Sequence, residues 1–182
     1  MRRVEVVRTY LKLDRADQLR PSPSMPGGNI RIVSHEPCSV ADYRRLYRDV
    51  GEQWYWHDRL EWSDAELAEH LAKPTVKVRE LLAGDESAGY YELQRHDDGS
   101  VEIVYFGLVP KFIGRGLGGM LLTRAVTDAF AMGASRVWLH TCTLDSPNAL
   151  PSYKARGFTE YRTQRLDVEL DGSQVVSERL LD

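Results

Sequence analysis

Cysteine is scarce in this chain. Cys38 and Cys142 stand far apart, so no disulfide framework organises the fold, and free thiols in a cytoplasmic protein are the expectation. There is no CxxC or HExxH pair, and His35, His57, His70, His96 and His140 are scattered, so no metal centre is expected. Apolar runs all fall short of the roughly 20 residues that span a bilayer. The opening MRRVEVVRTYLKLDR has neither a sustained apolar core nor a small-residue cleavage site, which argues against a secretory leader and against a membrane protein. An excess of one charge is missing too: 24 Lys and Arg stand against 27 Asp and Glu, a net charge of −3. No general nucleic-acid or membrane-surface footprint follows from that balance.

What remains is ordinary in amount: 42% hydrophobic and 28% charged residues across 182 positions. A chain of this length forms one compact domain that buries about 70% of its unfolded surface. Residues 2–13 alternate in part and read as a strand or arm. Arg20 to Gly28 holds three prolines and two glycines and reads as a linker. The expected organisation is an N-terminal arm with linker over 1–28 and a single domain over 29–182.

Within that domain, a strand restarts at Asn29–Val33. Ser39 caps a helix with Tyr43, Leu46, Tyr47 and Val50 on one face. Ser63 and Glu66 form a capping-box pattern for a second helix that ends before Pro74. Strands at Thr75–Ala83, Ala88–Gln94 and Val101–Val109 are separated by Gly84-Asp85 and Asp97-Asp98-Gly99. A long helix follows over about Gly116–Met132, with Gly133 in place to stop it. Then come a strand at Val137–Thr141, a short helix between Pro147 and Arg156, strands from Phe158 to Leu170, and a last segment over Gln174–Leu180. This is a mixed α/β chain, with antiparallel strands before the long helix and a β–α–β crossover around it.

The most informative stretch is Tyr105–Leu122, where Gly114, Gly116, Gly118 and Gly119 crowd the start of the long helix. Glycines there let the backbone approach a ligand, and the free amides and dipole of a helix start favour an anion. The G-x-G-x-x-G pattern does not fit a dinucleotide fold. Pro110–Ile113 separates strand from glycines, and no acidic residue ends the next strand. A nucleotide-dependent oxidoreductase is therefore the weakest reading, and without GxxxxGK[ST] a P-loop is excluded.

The run Ile113-Gly-Arg-Gly116-Leu-Gly118 after a strand resembles the central [QR]-x-x-G-x-[GA] motif of the GNAT superfamily of acetyl-CoA-dependent N-acetyltransferases, with Ile113 departing at the first position. Downstream, Ala149, Tyr153, Gly157 and Phe158 match its N-x-x-A-x-x-x-Y-x-x-x-G-F pattern. Ser146 holds the asparagine position and Asn148 follows two residues later. The resemblance covers about residues 29–170. It implies a mixed α/β fold with a central, mostly antiparallel twisted sheet splayed around strands 4 and 5 and flanked by helices. Acetyl-CoA would be the cosubstrate, with no metal. Amides of Gly114, Arg115, Gly116, Gly118 and Gly119 would cradle the pyrophosphate, Leu108 and Val109 would pair with the pantetheine arm, and Asn148 or Ser146 would replace the missing contact.

Acetyl transfer to an amine needs a base, a polarised carbonyl and an acid for the departing thiolate. Tyr153 matches the family tyrosine beside the sulfur and is the candidate acid. Glu102 resembles the base of histone-type members, with His140 and Glu92 as weaker candidates. The aromatic and acidic stretch Trp54–Trp62 is a candidate acceptor wall, in which Trp54, Trp56, Asp58, Glu61 and, from a neighbouring strand, Tyr91 would surround an ammonium. Core packing explains the same aromatics equally well. The leading reading is transfer of acetyl to a primary amine, small-molecule or protein, in a ternary complex. A non-catalytic acyl-CoA sensor on the same fold is the alternative. No nucleic-acid partner is expected, and a homodimer through the terminal strands stays open.

Overall fold

The computed structural model describes residues 3–22, 28–169 and 175–180. In chain order the strands are β1 (Arg3–Leu13), β2 (Ile30–His35), β3 (Val76–Ala83), β4 (Glu86–Arg95), β5 (Val101–Leu108), β6 (Val137–Cys142), β7 (Thr159–Glu169) and β8 (Val175–Leu180). They form one sheet in the order β2-β3-β4-β5-β6-β1-β7-β8. Helices α1 (Val40–Gly51) and α2 (Asp64–Leu71) cover one face, and α3 (Leu117–Ala131) and α4 (Ala149–Ala155) the other. The expected mixed architecture with a mostly antiparallel sheet is what forms. Among the described residues no helix is long and apolar enough to cross a membrane.

Local signals explain most elements. The Ser39 hydroxyl accepts from the Asp42 amide at 3.0 Å and starts α1. Ser63 and Glu66 bond reciprocally at the start of α2. At the head of α3, Gly116 takes φ 78°, a conformation side chains other than glycine rarely adopt. The apolar stripe of α3, from Leu117 through Leu121 and Leu122 to Ala129, is buried. Each large side chain so placed stabilises the fold by about 1.5–3 kcal/mol. β4 is buried on both sides: Tyr90 faces α1 and α2, whereas Tyr91 and Leu93 join the α3 core.

Two departures from regular pairing position the site. β5 and β6 are parallel neighbours only at Val101↔Val137 and Glu102↔Trp138; beyond these pairs they part. On its other edge, β5 slips register against β4 between Glu92 and Leu93, leaving Val104 as an extra residue, which bends a strand.

The sequence reading set 1–28 apart from a 29–182 domain. In the structure β1 is an interior strand of that domain's sheet, antiparallel to β6 on one side and β7 on the other. The chain then crosses α3 and α4: the Arg20 amide donates to the Arg156 carbonyl at 2.9 Å and the Ser22 amide to Thr123 Oγ1 at 3.0 Å. Of the expected linker, residues 23–27 lie outside the described residues, as does Gln174 of the final segment.

Candidate active site

A cavity of about 580 Å³ opens where β5 and β6 part. At one end lie Gly114 and Gly118, and Ser146, Asn148 and Tyr153 line it beneath α4. Gly114 has φ +81° and nothing within 4 Å of where a Cβ would stand, while a Cβ on Gly118 would meet only Leu108, at 3.7 Å. Bare backbone therefore faces the cavity at the start of the 15-residue α3, the arrangement that receives a phosphate. The Asp145 carboxylate accepts from Thr141 Oγ1 at 2.7 Å and from the Cys142 amide at 2.9 Å, fixing the turn that brings Ser146 and Asn148 to the rim.

The open edge of β5 is the second element. The Val109 amide donates to the Ala88 carbonyl at 2.9 Å. Antiparallel ladders alternate, so with Leu108 opposite Gly89 and Phe106 opposite Tyr91, the amides of Leu108 and Phe106 turn toward the split. Tyr153 stands under this edge, 7% exposed, its ring 6.1 Å from those of Phe106 and Phe158. Burial, and then the charge of Asp145, push its phenol well above the ordinary tyrosine value. It stays protonated at neutral pH and suits donation.

Beyond the split, on the face away from α3, the cavity has two walls. Tyr47, Trp54, Tyr55, Trp56, Asp58 and Tyr105 form one. Val6, Arg8, His140, Cys142, Leu166 and Val168 form the other. His140 stands open to the water of the cleft. The surrounding walls, and then Arg8, lower its pKa below the usual histidine value, so the imidazole is neutral at pH 7. Exposure weakens that effect without reversing it. Burial and then Asp145 raise the Cys142 thiol, which holds it in the unreactive protonated form.

Several expected site residues lie elsewhere. Tyr91 faces α3 and donates to Asp128 Oδ2 at 2.6 Å, because neighbours on a strand alternate faces. Glu61 is exposed and does not line the cavity. The Val109 amide is taken by β4, and its carbonyl accepts from Phe112 at 2.9 Å. Gly116 serves the turn into α3. Gly119 makes room for Ser22, whose Oγ would be 2.9 Å from a Cβ there. Arg115 stacks over the Phe112 ring at 5.1 Å.

Glu102 lies at the closed end of the split, outside the cavity lining, with His96 Nε2 at 3.0 Å from its carboxylate. Burial raises its pKa and the His96 contact opposes the rise. Glu92 is fully buried behind the aromatic wall, bonded to Tyr43 and His70 and 3.5 Å from Arg59. Sequence reasoning missed the β1 and β7 wall and Tyr105. A cation at the alternating position Arg8, on the face of Val4 and Val6, was the available signal.

Comparison with known proteins adds to this geometry. The acetyltransferase (GNAT) family matches residues 41–158. A mycothiol acetyltransferase of Corynebacterium efficiens is 31% identical over 114 residues, which are 59% of this chain and 38% of that protein. An uncharacterized N-acetyltransferase of Mycobacterium bovis is 34% identical over 77 residues, 42% of this chain and 49% of the relative. This chain thus spans less than half the length of these two relatives. A GCN5-related N-acetyltransferase from Kribbella flavida superposes with a TM-score of 0.64 at 18% identity, covering 88% of this chain and 57% of that one. At that identity the likeness is one of fold.

Proposed function

The chain belongs to the acetyltransferase (GNAT) family, and from that premise we propose that it moves an acetyl group from acetyl-CoA to a primary amine by direct attack in a ternary complex. The observation that carries this reading is the continuity of one cavity, with bare glycine backbone at one end, Tyr153 beneath the split and an aromatic, acidic wall beyond it. Acetyl-CoA, the cosubstrate of the family, fits this chain's residues: a side chain at Gly114 would occupy the space a phosphate needs.

In this reading the amides around Gly114 and Gly118 hold the pyrophosphate, aided by the α3 dipole. The edge of β5 pairs with the pantetheine arm, and the Phe106 and Leu108 amides polarise the thioester carbonyl. Asn148 and Ser146 contact the cosubstrate from the rim. The acceptor amine lies against Trp54, Trp56 and Asp58. Neutral His140 accepts the amine proton directly; Glu102, outside the lining, serves only through water. Tyr153 gives a proton to the departing thiolate. A covalent acetyl-cysteine is disfavoured by the raised pKa of Cys142.

The test is release of coenzyme A with a panel of amines. Tyr153→Phe is expected to lower kcat about a hundredfold or more, with a far smaller change in the KM for acetyl-CoA. Tight acetyl-CoA binding with no turnover across the panel would replace this reading with that of a sensor.

A further inference from the structure

The proposed reaction leaves one cation of the cavity without a task. Arg8 lines the wall made by β1 and β7, and its Nε is buried without a hydrogen-bond partner. Among the described residues no carboxylate pairs with its guanidinium. The acids nearby are engaged elsewhere: Glu5 accepts from Arg165 at 3.1 Å, and Asp145 holds the turn after β6. Gln164, opposite Arg8 on β7, accepts at Oε1 from the Tyr10 hydroxyl at 2.7 Å. The other neighbours in the lining are Val6, Leu166, Val168, His140 and Cys142, none of them an anion. A guanidinium keeps its charge at every accessible pH, and one held against apolar walls without a counter-ion is costly. Such a group calls for an anionic ligand.

The position of Arg8 separates it from the pyrophosphate end. Arg8 pairs with Cys142 across the β1–β6 ladder and shares its face. Leu139, on the opposite face of β6, packs into the α3 core. Arg8 therefore projects away from the glycine turn and toward the acceptor side. There the facing wall holds Asp58, whose carboxylate has no ion-pair partner among the described residues, beside Trp54 and Trp56. The two walls present opposite charges across one cavity. Arg8 also falls outside the 41–158 stretch matched by the family.

We propose that the acceptor is an amine that also carries a carboxylate, of the amino-acid type, with its carboxylate docked on Arg8 and its ammonium directed to the Asp58 wall. This rests on the acetyl-transfer reading. Planar Arg–carboxylate pairing is bidentate and charge-assisted, so it fixes both the position and the orientation of the amine.

The test compares L-phenylalanine, L-methionine and L-glutamate with their α-carboxamides as acceptors, with rates referred to the unprotonated amine. The wild-type protein is expected to favour the acid by roughly tenfold or more in kcat/KM for at least one pair. Arg8→Met is expected to bring that ratio near one, and Arg8→Lys to restore part of it. Melting curves and circular dichroism check that each variant folds. A wild-type ratio near one, or a ratio that Arg8→Met does not move, overturns the proposal. So does an Arg8→Met variant whose KM for acetyl-CoA rises in step for acids and amides alike, since Arg8 then serves the cosubstrate. If no amine turns over, the acetyl-transfer reading fails by itself, and calorimetry on the coenzyme A-loaded protein still reads Arg8. Binding of N-acetyl-L-phenylalanine over its amide, lost in Arg8→Met, supports the anion site; equal binding of the two by the wild type overturns it.

Discussion

Replacing Glu92 by leucine tests how the aromatic wall is held. Glu92 is 0% exposed, and its carboxylate gathers three donors from three elements. His70 Nε2 lies at 2.7 Å and Arg59 Nη2 at 3.5 Å from Oε1, and the Tyr43 hydroxyl donates to Oε2. Arg59 in turn lies 4.0 Å from the Trp62 ring and 5.3 Å from that of Tyr105. Burial is the largest single influence on Arg59 and opposes its charge, but Glu92, Tyr105 and Tyr43 together outweigh it and the guanidinium is held even more firmly ionised than usual. Glu92→Leu leaves that cation stranded, which costs about 3–5 kcal/mol. The orphaned Tyr43 hydroxyl contributes about 1–3 kcal/mol more, and the two effects overlap because the groups share one network. A net loss near 4 kcal/mol lowers the melting temperature of a chain this size by roughly 8–16 °C. Urea unfolding of Glu92→Leu, Arg59→Met and the double variant reads the effect. The double variant should be more stable than Glu92→Leu alone, because removing the cation removes the penalty. A loss below about 1 kcal/mol, or a double variant at the sum of the two singles, would refute the reasoning.

Other outcomes follow from single contacts. Gly157→Ala sets a Cβ 2.1 Å from the Gln18 carbonyl at φ +100°; a loss of about 2–3 kcal/mol is expected in urea unfolding, with faster amide exchange at Arg20, whose bond to Arg156 it disturbs. Gly118→Leu places a branched side chain into the cavity end, and the KM for acetyl-CoA should rise about tenfold or more, with a dissociation constant from calorimetry moving in parallel. His140 has a folded pKa held below the ordinary histidine value by the walls around it and then by Arg8, an effect that its exposure to the cleft weakens. The unfolded chain therefore binds the extra proton first, and stability is lost as pH falls from about 6.5 through the lowered folded value. An NMR titration of the ring in which it protonates at or above pH 6.5 would contradict this, and His140→Gln should flatten that part of the stability profile.

The elements from β2 to α4 were legible because their signals are local. Caps such as Ser39 and Ser63, the helical spacing of Tyr43, Leu46, Tyr47 and Val50, and stops such as Gly133 depend on a few adjacent residues. The glycine turn was legible for the same reason, since backbone conformation at Gly114 and Gly116 demands that residue. The place of β1 was not, because its alternation would suit an edge strand equally well. Its position rests on pairs such as Arg8↔Cys142 and Arg8↔Gln164, which no local pattern encodes. Tyr91 was misplaced for a related reason. On a strand buried on both faces, composition does not tell which side meets which helix, and one step along β4 separates Tyr90 under α1 from Tyr91 under α3.

The position of β1 also bears on why a cavity exists at all. Along β5, residues from Val101 to Leu108 pair with β4. Along β6, every residue from Val137 to Cys142 pairs with β1. Each strand is thus held by its outer neighbour, and the two can diverge after Glu102 and Trp138 without losing the rest of the sheet. Divergence leaves the inner edges of both strands without a strand partner, a state that is unfavourable in a dry core and that water or an extended ligand relieves. The crossover from β5 to β6 begins with the glycine turn and runs through α3, so the unpaired edge and the helix start meet at one place. A strand contributed by the first residues of the chain therefore does two things at once. It anchors β6 away from β5, and through Arg8 it gives the resulting opening a cationic wall.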